Sequence, residues 1–182
     1  MREITMREQK RVGLIMVNTG NGKGKTTAAL GTALRAVGCE FKVFMVQFIK
    51  GSWDYGELRV IDRLAPFFDL KQMGEGFTWE TKDPKRDAKV ANKAWDFCKD
   101  LIAGNKHDLL IFDEINNAMD YGYLDVDDVV NTLKKKPEEL HIILTGRDAP
   151  QAIIDIANLV TEMREIKHPF QEGVYAQKGI EF

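Results

Sequence analysis

The segment Thr19 to Thr27, TGNGKGKTT, restricts the fold of this chain more than any other stretch. It stands between an apolar run, Val12 to Val17 (VGLIMV), and the segment Thr26 to Val37. The apolar run reads as a buried strand because it is short and leads into a glycine-rich turn. In the second segment Ala29, Leu30, Ala33, Leu34 and Val37 fall on one helical stripe, with Gly38 just past the end. Strand, glycine-rich turn and helix together make a cradle for phosphate. The glycines let consecutive N–H groups approach phosphate oxygens, and the helix start adds partial positive charge. Candidate nucleotide-binding residues are therefore Gly20, Asn21, Gly22, Lys23, Gly24, Lys25, Thr26 and Thr27. Lys25 supplies a full charge, and the Thr26 hydroxyl is placed to ligate Mg²⁺. The loop departs from the usual pattern in one place: Thr19 stands where its first glycine is expected, and the glycine is Gly20. A turn that merely caps a helix is the bland alternative, and GKT in this context argues against it.

A phosphate loop needs an acidic residue at the end of a neighbouring buried strand. LLIFDE supplies Asp113 and Glu114 directly after Leu109 to Phe112. Either can orient a divalent cation, Mg²⁺ or Mn²⁺, directly or through water, and the other can serve as ligand or base. Their roles stay open at this level. Further strands are predicted at Lys42 to Phe48, Phe67 to Met73, His141 to Thr145 and Val160 to Ile166. Helices are predicted at Glu57 to Ala65, Asp83 to Ala103 (stopped by Gly104), about Val126 to Lys135 and about Pro150 to Ala157. This alternation implies an α/β sandwich, its largely parallel sheet covered on both faces. Residues 1–11 form a short polar segment and 12–182 one domain, a size that 182 residues support.

Composition narrows the class of function. Lys and Arg total 26 against 28 Asp and Glu, a net charge of −2, which disfavours a bulk electrostatic nucleic-acid binder. No apolar run approaches the ~20 residues of a membrane span, and the polar N-terminus lacks the apolar stretch of a signal peptide. The two cysteines, Cys39 and Cys98, have neither metal-site spacing nor a disulfide framework. A cytoplasmic enzyme or binding protein is the expectation.

The sequence becomes specific in GNGKGKTTAALGTALRAVG, VQFIKG, GEGFTWET, DEINNAMDYGYLD, LTGRDAP, LVTEMREIKHPF and GVYAQKGIEF. Together these resemble the phosphate-loop ATP:corrinoid adenosyltransferase family of bacterial cobalamin synthesis and salvage, from about Gly13 to Phe182. Thr19 belongs to that family's form of the loop. The resemblance implies a RecA-like, P-loop NTPase-type fold. It also implies transfer of the 5′-deoxyadenosyl group of ATP to Co(I) of a corrinoid, with release of triphosphate. The loop then grips the triphosphate in the reverse sense to kinases, so Lys25 and Thr26 stabilise a departing triphosphate. In the family, aromatics matching Phe77 and Trp79 pack below the corrin and displace its lower axial ligand, which makes the two residues catalytic and corrinoid-binding candidates. From spacing alone they read as hydrophobic core. The family usually acts as a homodimer, and a reduced flavoprotein resembling flavodoxin is the expected electron donor.

Several residues carry weaker signals. Arg35 late in the first helix and Arg147 after the strand HIILTG are candidate ATP contacts. Asn116 is a candidate for corrin amides, as is Asn117, although asparagines at a helix start often just cap. His168, followed by Pro169, reads as a turn residue; His107 and His141 flank strands, and the run Lys134 to Lys136 reads as a solvated helix end. The main rivals are a small-molecule kinase and a RecA-like ATPase. A kinase would show an arginine-rich lid, whereas the nine arginines are scattered. An ATPase would need an arginine finger, for which Arg147 is the fair candidate. A nucleotide-dependent switch without turnover is a third alternative.

Overall fold

The computed structural model describes residues 11–49, 55–74 and 83–182. Six strands form one sheet: β1 (Ile15–Thr19), β2 (Val43–Gln47), β3 (Phe68–Gln72), β4 (Leu109–Asp113), β5 (His141–Thr145) and β6 (Leu159–Glu162). They lie in the order β3-β2-β4-β5-β1-β6, and every pairing is parallel. Parallel neighbours need crossover connections, which the helices supply. These are α1 (Lys25–Gly38), α2 (Leu58–Ile61), α3 (Pro84–Gly104), α4 (Ile115–Asp120), α5 (Val126–Lys134) and α6 (Gln151–Ile156).

The sheet separates two apolar layers. On one side Ala29 and Ala33 of α1 and Ile61 of α2 pack on Val43, Met45, Phe68, Leu109, Ile111 and Ile143. On the other, Trp95 and Cys98 of α3, Leu133 of α5 and Ile153 of α6 cover Val17, Val46, Leu110, Phe112, Ile142 and Leu144. β4 is therefore buried along its whole length, as a central parallel strand must be. The α/β sandwich with a parallel sheet is what the sequence pattern implied, and the described sheet is parallel throughout.

Several boundaries differ from those expectations. β1 begins at Ile15 and runs on through Asn18 and Thr19, because those polar residues still pair with β5 and β6. β6 ends at Glu162 rather than reaching Ile166; it is an edge strand of exposed residues, paired among the described residues with β1 alone. The helix expected over Glu57 to Ala65 is four residues of α-helix followed by a 3₁₀ turn, Asp62–Leu64. A proline at 66 disfavours helical backbone at Ala65, which is extended. Gly104 does not stop α3: the helix includes it and ends at Asn105, whose φ of 44° is left-handed. Asn tolerates that region through local hydrogen bonding of its side chain. At its other end α3 starts as expected, with Asp83 accepting a hydrogen bond from the Arg86 amide and Pro84 in the first turn.

Candidate active site

The phosphate loop spans the gap between the end of β1 and the start of α1. Gly24, at φ 109°, turns the chain into the helix. Gly22 is buried, and its amide donates to the Met163 carbonyl at 2.7 Å. A Cβ on Gly22 would lie 2.7 Å from the Arg164 carbonyl carbon, so only glycine fits between the loop and the chain leaving β6. Asn21, Lys23 and Thr27 are exposed. Lys23 forms an ion pair with Glu181, which brings the C-terminal residues back onto the loop.

Lys25 is buried at the base of the loop. Its ammonium donates to the carbonyls of Gly20 and Gly22 at 2.7 and 2.8 Å. An ammonium has three donors, which leaves one for a phosphate oxygen. Burial is the largest influence on Lys25 and pulls its pKa below the ordinary lysine value. Glu114 opposes that pull, Arg147 adds to it, and Asp148 and Asp113 oppose it again. The loop therefore holds a positive charge that is poorly solvated in the absence of an anion.

Asp113 ends β4 on the face covered by α1. Its Oδ1 accepts from the Thr26 hydroxyl at 2.8 Å and from the Thr145 hydroxyl at 2.7 Å. The Thr145 oxygen also accepts from the Glu114 amide at 2.9 Å. Glu114 has left the strand and adopts a left-handed φ of 66°. The two acidic residues are thus physically distinct. Asp113 is fully buried and tied to the start of α1; Glu114 is half-buried and the foremost charge opposing the pull of burial on Lys25. Hydroxyl and carboxylate oxygens are hard donors suited to Mg²⁺ or Mn²⁺. Among the described residues no group of three or more His, Cys, Asp or Glu side chains gathers to hold a metal. A cation here would complete its shell with phosphate oxygens and water.

The remaining candidates separate. Arg147 is exposed at the β5 end of the site, its amide donating to Asn117 Oδ1 at 2.9 Å. Asn116 is fully buried and donates to the Gly146 carbonyl at 3.3 Å, so it braces that turn rather than facing solvent. Arg35 is exposed in the last turn of α1, about 15 Å along the helix from Lys25 at 1.5 Å per residue; the structure does not bring it to the loop. His168 Nδ1 accepts from the Phe170 amide, as a turn residue should. Phe77 and Trp79 lie outside the described residues.

Comparison with known proteins adds the chemistry. The family profile described as ATP:corrinoid adenosyltransferase BtuR/CobO/CobP matches residues 11–182. The chain belongs to this family. A corrinoid adenosyltransferase of Sinorhizobium sp is 48% identical over 174 residues, covering 93% of this chain and 80% of the relative. Those of Pseudomonas aeruginosa and Escherichia coli K12 are 43% and 41% identical, covering 93% and 96% of this chain and 84% and 88% of the relatives. Among solved structures, the flagellar accessory protein FlaH from Methanocaldococcus jannaschii aligns with a TM-score of 0.55 at 15% identity. That alignment covers 82% of this chain and 70% of FlaH, and speaks for the fold alone.

Two polar residues of this family member escaped the motif reading. Thr145 ends HIILT as Asp113 ends LLIFD, and a polar residue closing an apolar strand was the available signal. Gln47 ends β2, donates to Asp113 Oδ2 at 3.4 Å and is fully buried. Among the described residues no helix is long and apolar enough to cross a membrane.

Proposed function

We propose that this chain transfers the 5′-deoxyadenosyl group of ATP to the Co(I) centre of a corrinoid, in cobalamin synthesis or salvage. The observation that carries this reading is the phosphate loop, with Lys25 buried at its base and Thr26 tied to Asp113, in a chain matched along 11–182 by the corrinoid adenosyltransferase family. The substrate is cobalamin or the earlier intermediate cobyrinic acid a,c-diamide.

In the reaction the Co(I) electron pair attacks C5′ of ATP. The C5′–O bond breaks, its electron pair stays with the oxygen, and intact triphosphate leaves. Co(I) is already nucleophilic, so no general base is required. The protein's task is to hold C5′ in line and to stabilise charge on the leaving group. Lys25 and the loop amides are placed to grip the triphosphate. A cation held by Thr26 and Asp113, Mg²⁺ or Mn²⁺, would neutralise part of the same charge. Glu114 and Arg147, whose charges act on Lys25, are assigned to the polar rim of the same site.

Phe77 and Trp79 are proposed to pack under the corrin and exclude its lower axial ligand, which makes the Co(I) state easier to reach. We assign the electron that produces it to a reduced flavoprotein of the flavodoxin kind, and the working unit to a homodimer.

The test is anaerobic. Protein, MgATP and chemically reduced cob(I)alamin are mixed, and the visible spectrum and phosphate products are followed. A light-sensitive adenosylcobalamin spectrum with equimolar triphosphate is expected. ADP and orthophosphate beside an unchanged corrinoid would overturn the proposal in favour of a kinase or ATPase.

A further inference from the structure

Gln47 closes the otherwise apolar strand β2 and is fully buried. Its register partners are Asp113 on β4 and Gln72 on β3, so three polar side chains lie side by side at the carboxyl ends of their strands. The carboxamide of Gln47 is used only in part. Its Nε2 donates to Asp113 Oδ2, while Oε1, on the same planar group, is buried without a hydrogen-bond partner among the described residues. Gln72 Nε2 is likewise buried and without a partner among the described residues. A buried acceptor that meets no donor destabilises a fold, and an apolar side chain at this place would extend the layer formed by Val43 and Met45. The arrangement makes physical sense when a bound state brings the missing donor.

We propose that Gln47 is a positioning residue for the cation–triphosphate complex: Nε2 orients Asp113, and Oε1 accepts a hydrogen bond from a water carried by the divalent cation. The inference rests on the cation site at Thr26 and Asp113 proposed above. Mg²⁺ and Mn²⁺ bound with phosphates keep several waters, whose O–H groups need acceptors. Asp113 Oδ1 already accepts from two hydroxyls, so the neutral oxygen beside Oδ2 takes on that role. A carboxylate at position 47 would instead place two like charges side by side, which favours protonation of one of them. Outer-shell partners of this kind fix the geometry of metal ligands without touching the metal.

The experiment measures Mn²⁺ binding to the full chain in the presence of inorganic tripolyphosphate, by the paramagnetic signal of free Mn²⁺. Thermal unfolding without ligand runs in parallel. Gln47→Met keeps the length of the side chain and removes both polar atoms. Its unliganded midpoint should equal or exceed that of the wild type, while Mn²⁺ affinity falls about tenfold. Binding of metal-free tripolyphosphate should stay unchanged, which a general packing defect would not allow. Gln47→Leu repeats the measurement should the methionine variant fail to fold. Wild-type Mn²⁺ affinity in the apolar variant would overturn the inference and leave the cation site standing. Absence of Mn²⁺ binding by the wild type would overturn both.

Discussion

Thr26 and Asp113 stand 87 positions apart in the sequence, yet the Thr26 hydroxyl donates to Asp113 Oδ1 at 2.8 Å. This bond joins the first turn of α1 to the end of β4 and sets the two oxygen donors on one face of the sheet. Asp113→Asn is expected to leave the fold intact and to slow adenosyl transfer by at least about tenfold, because the neutral amide holds the cation less well. Initial rates across a range of Mg²⁺ concentrations check this. The deficit should shrink as Mg²⁺ rises.

Lys25 is held by two carbonyls and is poorly solvated, so its charge is useful only once an anion arrives. Lys25→Met should therefore unfold at the same temperature as the wild type or higher. Its ATP affinity should drop at least tenfold, roughly the loss of one charge-assisted hydrogen bond. Calorimetric unfolding and titration with ATP separate the two effects.

Thr145 links both acidic residues, donating to Asp113 and accepting from the Glu114 amide. Thr145→Val keeps the shape and removes both bonds, which leaves the Glu114 N–H without this acceptor. A loss of about 1–3 kcal/mol is expected from urea unfolding. Thr145→Ser should retain most of that stability.

His141 Nδ1 accepts from the Leu14 amide at 3.1 Å, which requires the neutral ring. Burial foremost, then Arg11 and Lys136, push its pKa below the ordinary 6.5, with Asp108 opposing. His107 is lowered as well, again chiefly by burial. As pH falls from 6.5 toward the native values, the unfolded chain binds more protons than the folded one, so stability falls with pH. Above that window it should be flat with respect to these groups. His141→Gln should reduce the acid-side loss, read from unfolding midpoints between about pH 8 and about pH 5.

The phosphate loop, the helix it opens and the acidic end of β4 were legible in the sequence because each is local. A glycine pattern, a helical stripe and a run of apolar residues ending in Asp113 need only a few neighbours to be read. The different settings of Asp113 and Glu114 were not legible, since both follow the same run. They were decided by the end of the strand at Asp113 and by the left-handed turn of Glu114 against Thr145. Asn116 and Arg35 illustrate the same limit. Type and position made them candidates, and only burial and the length of α1 show where they lie. Sequence by itself determined the six strands, the described α-helices other than α4, and the glycine loop that reads as a phosphate cradle. Tertiary structure alone decided the order β3-β2-β4-β5-β1-β6, and with it the placing of Thr145 and Gln47 on either side of Asp113. The reason is that strand pairing joins segments distant along the chain, and periodicity within one segment carries no record of its neighbours.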